Sequence, residues 1–320
     1  VNLKKSNRRA ALLMIPLLAM ALVARPALAA VRVVTTTTTL GDITHQIGGD
    51  LVHVTSLMKG PENVHNIKPK PSFIMRLKKA DLFVHSGLDA EPWLGQLIHT
   101  SRQKRFLPGQ PGSVDVSGGI TLLEVPQRGQ LSRAMGDIHV FGNTHYDKDP
   151  LNGIIIAGTI ADALKNADPA HAEQFDANLA AFTKKIRDLT ERLVAQMKPY
   201  RGQRVVVYHR AWPYFLNRFG LVRGGEIEPK PGIAPGPRHL AELADTMRTE
   251  GIKIVIVETY NNRKIAESVA QRAGAQAVLL APAVNALPEA DTYEHMFEHD
   301  ISAIVEAFQR AGIAANAGDS

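Results

Sequence analysis

Four side chains able to donate to a metal ion stand where the sequence leaves a strand-like run. His65 lies in the polar loop after the alternating run Leu51–Leu57, and His145 ends the polar loop Gly142-Asn143-Thr144-His145. His209 directly follows Val205-Val206-Val207-Tyr208, and Glu258 directly follows Ile254-Val255-Ile256-Val257. In open parallel sheets, ligands bind beyond the carboxyl ends of the strands. Two of these residues come from each half of the chain, so a cleft between two lobes could gather them. Neutral imidazole is a good donor to Zn²⁺, at about 2.0–2.1 Å, and three imidazoles leave one position for a carboxylate or water. Oxygen-rich sets favour Mn²⁺, Mg²⁺ or Ca²⁺. The chain has no cysteine, which excludes thiolate ligation. Each residue alone is also consistent with a surface or structural role, and Glu258 with capping the next helix. His139, six residues before His145, and His85, directly after Leu82-Phe83-Val84, have equal claims on spacing. The residues by themselves therefore give a shortlist.

Other chemistry is thinly represented. His295-Met296-Phe297-Glu298-His299 matches the H-x-x-E-H pattern of inverted zinc proteases. Only 21 residues follow it, which leaves little chain for a further ligand and a substrate cleft. There is no H-E-x-x-H, G-x-S-x-G, G-x-G-x-x-G or Walker A run.

The elements that must position these residues alternate between strand and helix. Val31–Val34 and the threonines 35–39 read as a first strand. A short helix is expected over 42–47, a strand over 51–57, and a helix capped by Ser72, with Phe73, Ile74, Leu77 and Ala80 at helical spacing. Leu82-Phe83-Val84 reads as a strand, 90–102 as a helix, 106–138 as a loop-rich stretch with short strands, and 154–165 as a helix. From 170 to 196, Phe175, Leu179, Phe182, Ile186, Leu189 and Leu193 recur every three or four positions with no Pro or Gly between them. At 1.5 Å per residue that helix is about 40 Å long, enough to brace two domains. Asp168 and Pro169 suit its start. Beyond it come a strand at 205–208, a short helix at 213–219, a Gly- and Pro-rich stretch at 223–237, and a helix at 239–250. A strand at 252–257, a helix at 263–273, a strand at 277–280 and a helix at 292–311 complete the chain. The alternation in both halves implies an α/β protein with parallel sheets, although the halves share no convincing sequence repeat.

Charge separates the N-terminus from the rest. Of the net +6, residues 1–30 supply +5 through Lys4, Lys5, Arg8, Arg9 and Arg25; the remaining 32 basic and 31 acidic side chains nearly cancel. A neutral body argues against a nucleic-acid partner. The basic stretch, the apolar run from Ala10 to Ala24 and Ala27-Leu28-Ala29 follow the grammar of a secretory signal peptide over residues 1–29. With no cysteine after it, no lipid anchor is expected, and the mature chain should be soluble outside the cytoplasm.

Several stretches together resemble the zinc and manganese solute-binding proteins of ABC importers. These are Thr36 to Asp50, Pro61-Glu62-Asn63-Val64-His65 continuing to Pro69, Pro71 and Ser72, and Ala80-Asp81-Leu82-Phe83-Val84 with Gly87-Leu88 and Glu91-Pro92-Trp93-Leu94. Gly142-Asn143-Thr144-His145 before Asp149-Pro150, and Tyr208-His209 with Tyr214-Phe215 and Phe219-Gly220-Leu221, complete the likeness. The resemblance spans nearly the whole mature part. It implies two α/β lobes, each with a parallel sheet flanked by helices, joined by one long backbone helix and holding metal between them. The corresponding divisions are an N-terminal lobe over 30–167, the linking helix over 168–198 and a C-terminal lobe over 199–320.

That resemblance selects His65, His145 and His209 as ligands, prefers His145 to His139, and points to Zn²⁺ over Mn²⁺. The family's usual carboxylate after its last strand is missing here, where the chain reads Ala281-Pro282-Ala283-Val284-Asn285. Glu258, water or Asp291 then competes for the fourth position, with Glu258 preferred. The implied function is non-enzymatic: capture of Zn²⁺ by a monomer and delivery to the membrane permease of an ABC importer. The alternatives are a manganese or iron receptor on the same fold, a secreted zinc hydrolase, or an adhesin.

Overall fold

The computed structural model describes residues 30–126, 140–230 and 232–313. The expected signal peptide and His139 lie outside the described residues. In the first lobe the chain runs β1 (Val31–Thr35), α1 (Thr38–Gly48), β2 (Val52–Ser56), α2 (Pro71–Lys79), β3 (Leu82–His85), α3 (Leu94–Ser101), β4 (Ser113–Asp115) and α4 (Pro150–Ala167). α5 (Ala172–Met197) follows. The second lobe is β5 (Arg204–Val207), α6 (Pro213–Phe219), β6 (Val222–Glu226), α7 (Pro237–Thr249), β7 (Ile254–Glu258), α8 (Arg263–Ala273), β8 (Gln276–Leu280) and α9 (Tyr293–Arg310).

Among the described residues the strands form two four-stranded sheets, ordered β2-β1-β3-β4 and β6-β5-β7-β8, with every pair parallel. The two orders are the same: in each lobe the first strand lies between the second and the third. The halves thus repeat a topology that their sequences do not display. Successive connections diverge at β1/β3 and at β5/β7, and such switch points are where open α/β sheets form ligand crevices. The buried runs 205–207 of β5 and 254–257 of β7 are apolar because helices cover both faces.

The long helix is present, and its first turn is a separate 3-10 turn at Pro169–His171. His171 Nδ1 lies 2.6 Å from Asp168 Oδ2 there. α5 buries Phe175, Phe182, Ile186, Leu189, Leu193 and Met197 and packs on α4, α1 and α9. These residues belong to one apolar cluster that runs from Val33 and Leu82 in the first sheet to Val205 and Ile254 in the second. The lobes therefore share a continuous core along the brace.

Three local expectations differ. The threonine run is not all strand: β1 stops at Thr35 and Thr37 caps α1, its Oγ1 accepting from Leu40 N at 3.2 Å. Threonine favours strands but also supplies the hydroxyl that a helix N-terminus needs, and the cap prevails here. α2 starts at Pro71, not after Ser72, because proline's fixed φ and missing N–H suit the first helical position. The Gly- and Pro-rich stretch contains the strand β6, where Gly224 and Gly225 allow a register shift opposite Val205/Val206.

Candidate metal centre

His65 sits in a short 3-10 turn, Val64–Asn66, entered through Asn63, whose Oδ1 accepts from His65 N at 2.9 Å. The turn is anchored from behind. Trp93 Nε1 donates to Val64 O at 2.8 Å, and His65 Nδ1 lies 3.0 Å from Ala90 O. A carbonyl can only accept, so Nδ1 carries the proton in this contact and the Nε2 lone pair is presented away from it. Glu91 steadies the same segment: Oε1 accepts from Thr36 Oγ1 at 2.6 Å and from Ser86 N at 2.9 Å. It closes a turn in which Gly87, Leu88 and Asp89 all have positive φ, of 68°, 53° and 58°. Burial raises the Glu91 carboxyl above its ordinary range.

His145 is buried and is set by the same local device. Asn143 Oδ1 accepts from His145 N at 3.0 Å. Asn143 Nδ2 then donates to Arg210 O at 2.8 Å, and Asn143 O accepts from Tyr214 OH at 2.9 Å. One asparagine thus ties the His145 loop to the chain just after His209. His209 is buried where β5 leaves the sheet at the second lobe's switch point.

The structure brings the three histidines together. Their ligand nitrogens all lie within 4.8 Å of one another, and His65 Nε2 is 3.3 Å from His145 Nε2. Tetrahedral zinc with Zn–N bonds of about 2.0–2.1 Å spaces its nitrogens about 3.3 Å apart, so that pair already has the required spacing. Ring centroids are 5.1 Å (His65–His145), 5.9 Å (His145–His209) and 6.2 Å (His65–His209) apart.

Glu258 is not part of that cluster. It closes β7 at 1% exposure, and Trp212 Nε1 donates to its Oε1 at 2.6 Å. Burial pushes its carboxyl up to about 8, against the opposing effects of the Trp212 hydrogen bond and the Lys148 charge. Asp291 is exposed and engaged with His295 Nδ1 at 2.6 Å, which holds its carboxyl below the usual range. His85 is buried in the first lobe, with Nε2 3.1 Å from Ser113 Oγ, and is likewise outside the cluster. The H-x-x-E-H residues lie on α9, where His295 pairs with Asp291, His299 with Asp300, and Glu298 with Arg192. They do not form a shared donor set.

The supporting residues escaped the sequence reading, although one signal was present. Asn63-Val64-His65 and Asn143-Thr144-His145 are the same N-x-H pattern, and both asparagines bond the amide of their histidine. Glu228 was also overlooked. It lines a cavity of about 180 Å³ together with His65, His209, Tyr208 and Asn261.

The chain matches the family model described as "Zinc-uptake complex component A periplasmic" over residues 33–307. It is 34% identical over 138 residues to a high-affinity zinc uptake system protein ZnuA of Brucella abortus, covering 43% of this chain and 41% of that protein. It is 26% identical over 259 residues to a zinc-binding protein AdcA of Streptococcus pyogenes, covering 79% of this chain and 50% of that protein. The chain therefore aligns with half or less of the length of these curated relatives. Among solved structures, a ZnuA crystal structure superposes with a TM-score of 0.72 at 28% identity, covering 87% of this chain and 99% of that one. Two parallel sheets braced by a long helix, and a family match over most of the length, lead to one conclusion: this chain belongs to the family of periplasmic zinc-uptake component A proteins.

Proposed function

We propose that the chain captures Zn²⁺ between its lobes through His65, His145 and His209 and passes it to the membrane permease of an ABC importer. The observation that carries this reading is the convergence of three imidazoles, from loops 64 or more residues apart, on one point. Their supports are those of a ligand site: a carbonyl fixes the His65 tautomer, and two asparagines fix the backbones of His65 and His145. Such partners orient ligands and raise their basicity. An all-imidazole set suits zinc better than manganese, which prefers oxygen. The zinc named for the relatives agrees with that choice.

In this reading the chain binds and releases without chemistry, acts as a monomer, and is exported by residues 1–29 to the periplasm. The lobes 30–167 and 199–320 tilt slightly about the brace 168–198. The test is metal content and Zn²⁺ affinity, by chelator competition, for the wild type and for His65→Ala, His145→Ala and His209→Ala. One zinc per wild-type chain and a large affinity loss in each variant are expected. Wild-type affinity in all three variants would overturn the proposal.

A further inference from the structure

We infer that Glu228 is the carboxylate that completes the coordination of the metal held by His65, His145 and His209. The inference rests on the histidine site proposed above and adds a residue that the sequence did not single out.

Backbone contact argues for it first. β5 and β6 run parallel, with Val206 opposite Gly225 and Val207 opposite Glu226. Past the strand ends the two chains stay in contact, Ile227 N donating to Val207 O at 2.9 Å and Glu228 N to Tyr208 O at 2.8 Å. These bonds place Glu228 against Tyr208, the residue before His209. The fold thus brings Glu228 next to the chain that carries His209; its carboxylate lies outside the 4.8 Å cluster of the three histidines and has to swing inward to reach a shared ion.

The cavity argues for it independently. Glu228, His65 and His209 line the same polar space of about 180 Å³, far more than the roughly 15 Å³ that a single water needs. The other carboxylates considered do not line it. Glu258 is sealed in the core with Trp212, and Asp291 is engaged with His295 at the surface. Glu228 reaches the cavity from the loop between β6 and α7, where its Oε1 accepts from Gly232 N. A carboxylate has several acceptor sites, so this contact with its own loop is compatible with a bond to metal. Zinc takes carboxylate oxygen at about 2.0–2.2 Å alongside imidazole. One carboxylate on three neutral imidazoles also halves the net charge of the bound dication.

The test compares full-length wild type, Glu228→Gln and His209→Ala, first checked for matching metal-free thermal unfolding. Each is titrated with Zn²⁺ against a chelator and with Co²⁺ alone while the ligand-field bands are recorded. Glutamine keeps the size and removes the charge. The expected result for Glu228→Gln is one metal per chain, affinity lowered at least as far as the roughly 10- to 100-fold loss typical of removing a ligand's supporting partner, and Co²⁺ bands displaced from those of the wild type. Unchanged Co²⁺ bands overturn the inference whether or not affinity falls, since an indirect effect leaves the donor set intact. Retained binding in His209→Ala would instead count against the histidine site itself.

Discussion

Gly60 of the first lobe meets Asn285 of the second so closely that a methyl group on Gly60 would lie 2.2 Å from the Asn285 carbonyl carbon and 2.4 Å from Ala286 N. Both obstacles are backbone, so no side-chain rotation relieves the clash. Asn285 itself is held with φ of 60°, and its N donates to Ala290 O at 2.6 Å. The lobes also touch nearby: Thr38 Oγ1 donates to Val284 O at 2.6 Å, and Thr39 Oγ1 accepts from Val284 N at 3.2 Å. Gly60→Ala should separate the lobes at this point. The expected cost to the metal-free protein is about 1–3 kcal/mol, the usual range for overpacking. Zn²⁺ affinity should fall as well, because the proposed ligands come from both sides of the contact. Urea unfolding and chelator competition measure the two effects, and an unchanged affinity would show that this approach does not govern the site.

Trp93 offers a way to perturb one proposed ligand, His65, from behind. It is 5% exposed, packs against Phe73 at 6.2 Å between ring centroids, and donates to the carbonyl of Val64, next to His65. Trp93→Phe keeps an aromatic ring and removes the donor. The lost hydrogen bond should cost about 1 kcal/mol of stability. Zinc affinity should drop by roughly 10-fold or more, in line with the loss of an outer partner of a ligand. Equal melting and equal affinity would show that the Val64 turn holds its shape without the indole.

The architecture was largely legible because its strongest signals are periodic. The spacing of Phe175, Phe182, Ile186 and Leu193 announced the brace, and the apolar runs 205–207 and 254–257 announced the central strands of the second sheet. β6 was hidden because Gly224 and Gly225 remove the side chains by which a strand is recognised, and backbone pairing with β5 supplies what they lack. Single histidines carried no site by spacing alone. Only the folded loops separate His65, His145 and His209 from His85, which stands at an equivalent strand end but bonds Ser113. Glu258 looked like a ligand because it ends a strand at a switch point. The sequence does not show that Trp212, 46 residues earlier, holds its carboxylate in the core.

Arg218 and Asp149 join the lobes through two hydrogen bonds, Nε to Oδ1 at 2.8 Å and Nη2 to Oδ2 at 2.7 Å. Asp149 is 7% exposed and also caps α4 by accepting from Leu151 N at 3.0 Å. Arg218→Ala leaves a buried carboxylate with one remaining partner. Breaking a buried pair costs about 3–5 kcal/mol; the retained cap and the partial exposure of Arg218 bring the expected loss to about 1–3 kcal/mol. Asp149→Asn in the same background should recover part of it, since the amide oxygen still caps α4 without a charge. A double-mutant cycle by urea unfolding measures the coupling, and additive losses would show that the pair contributes nothing of its own.

Glu258 should give the metal-free protein a stability that depends on pH. Its carboxyl titrates near 4.5 when unperturbed and is pushed up to about 8 in the fold, chiefly by burial. Between those two values the folded chain keeps a proton that the unfolded chain releases. Stability from this group is therefore complete below about 4.5 and is lost as pH rises through 8. Each unit of pKa difference corresponds to about 1.4 kcal/mol, so the effect between pH 5 and pH 8 is on the order of a few kcal/mol. Glu258→Gln keeps an oxygen for Trp212 Nε1 and cannot ionise. Relative to the wild type, this variant should gain stability as pH rises from 5 to 8. Urea unfolding at both pH values is the measurement. Parallel pH profiles for the two proteins would mean that Glu258 titrates in the fold as it does in the open chain, and that Trp212 then bonds a charged carboxylate at neutral pH.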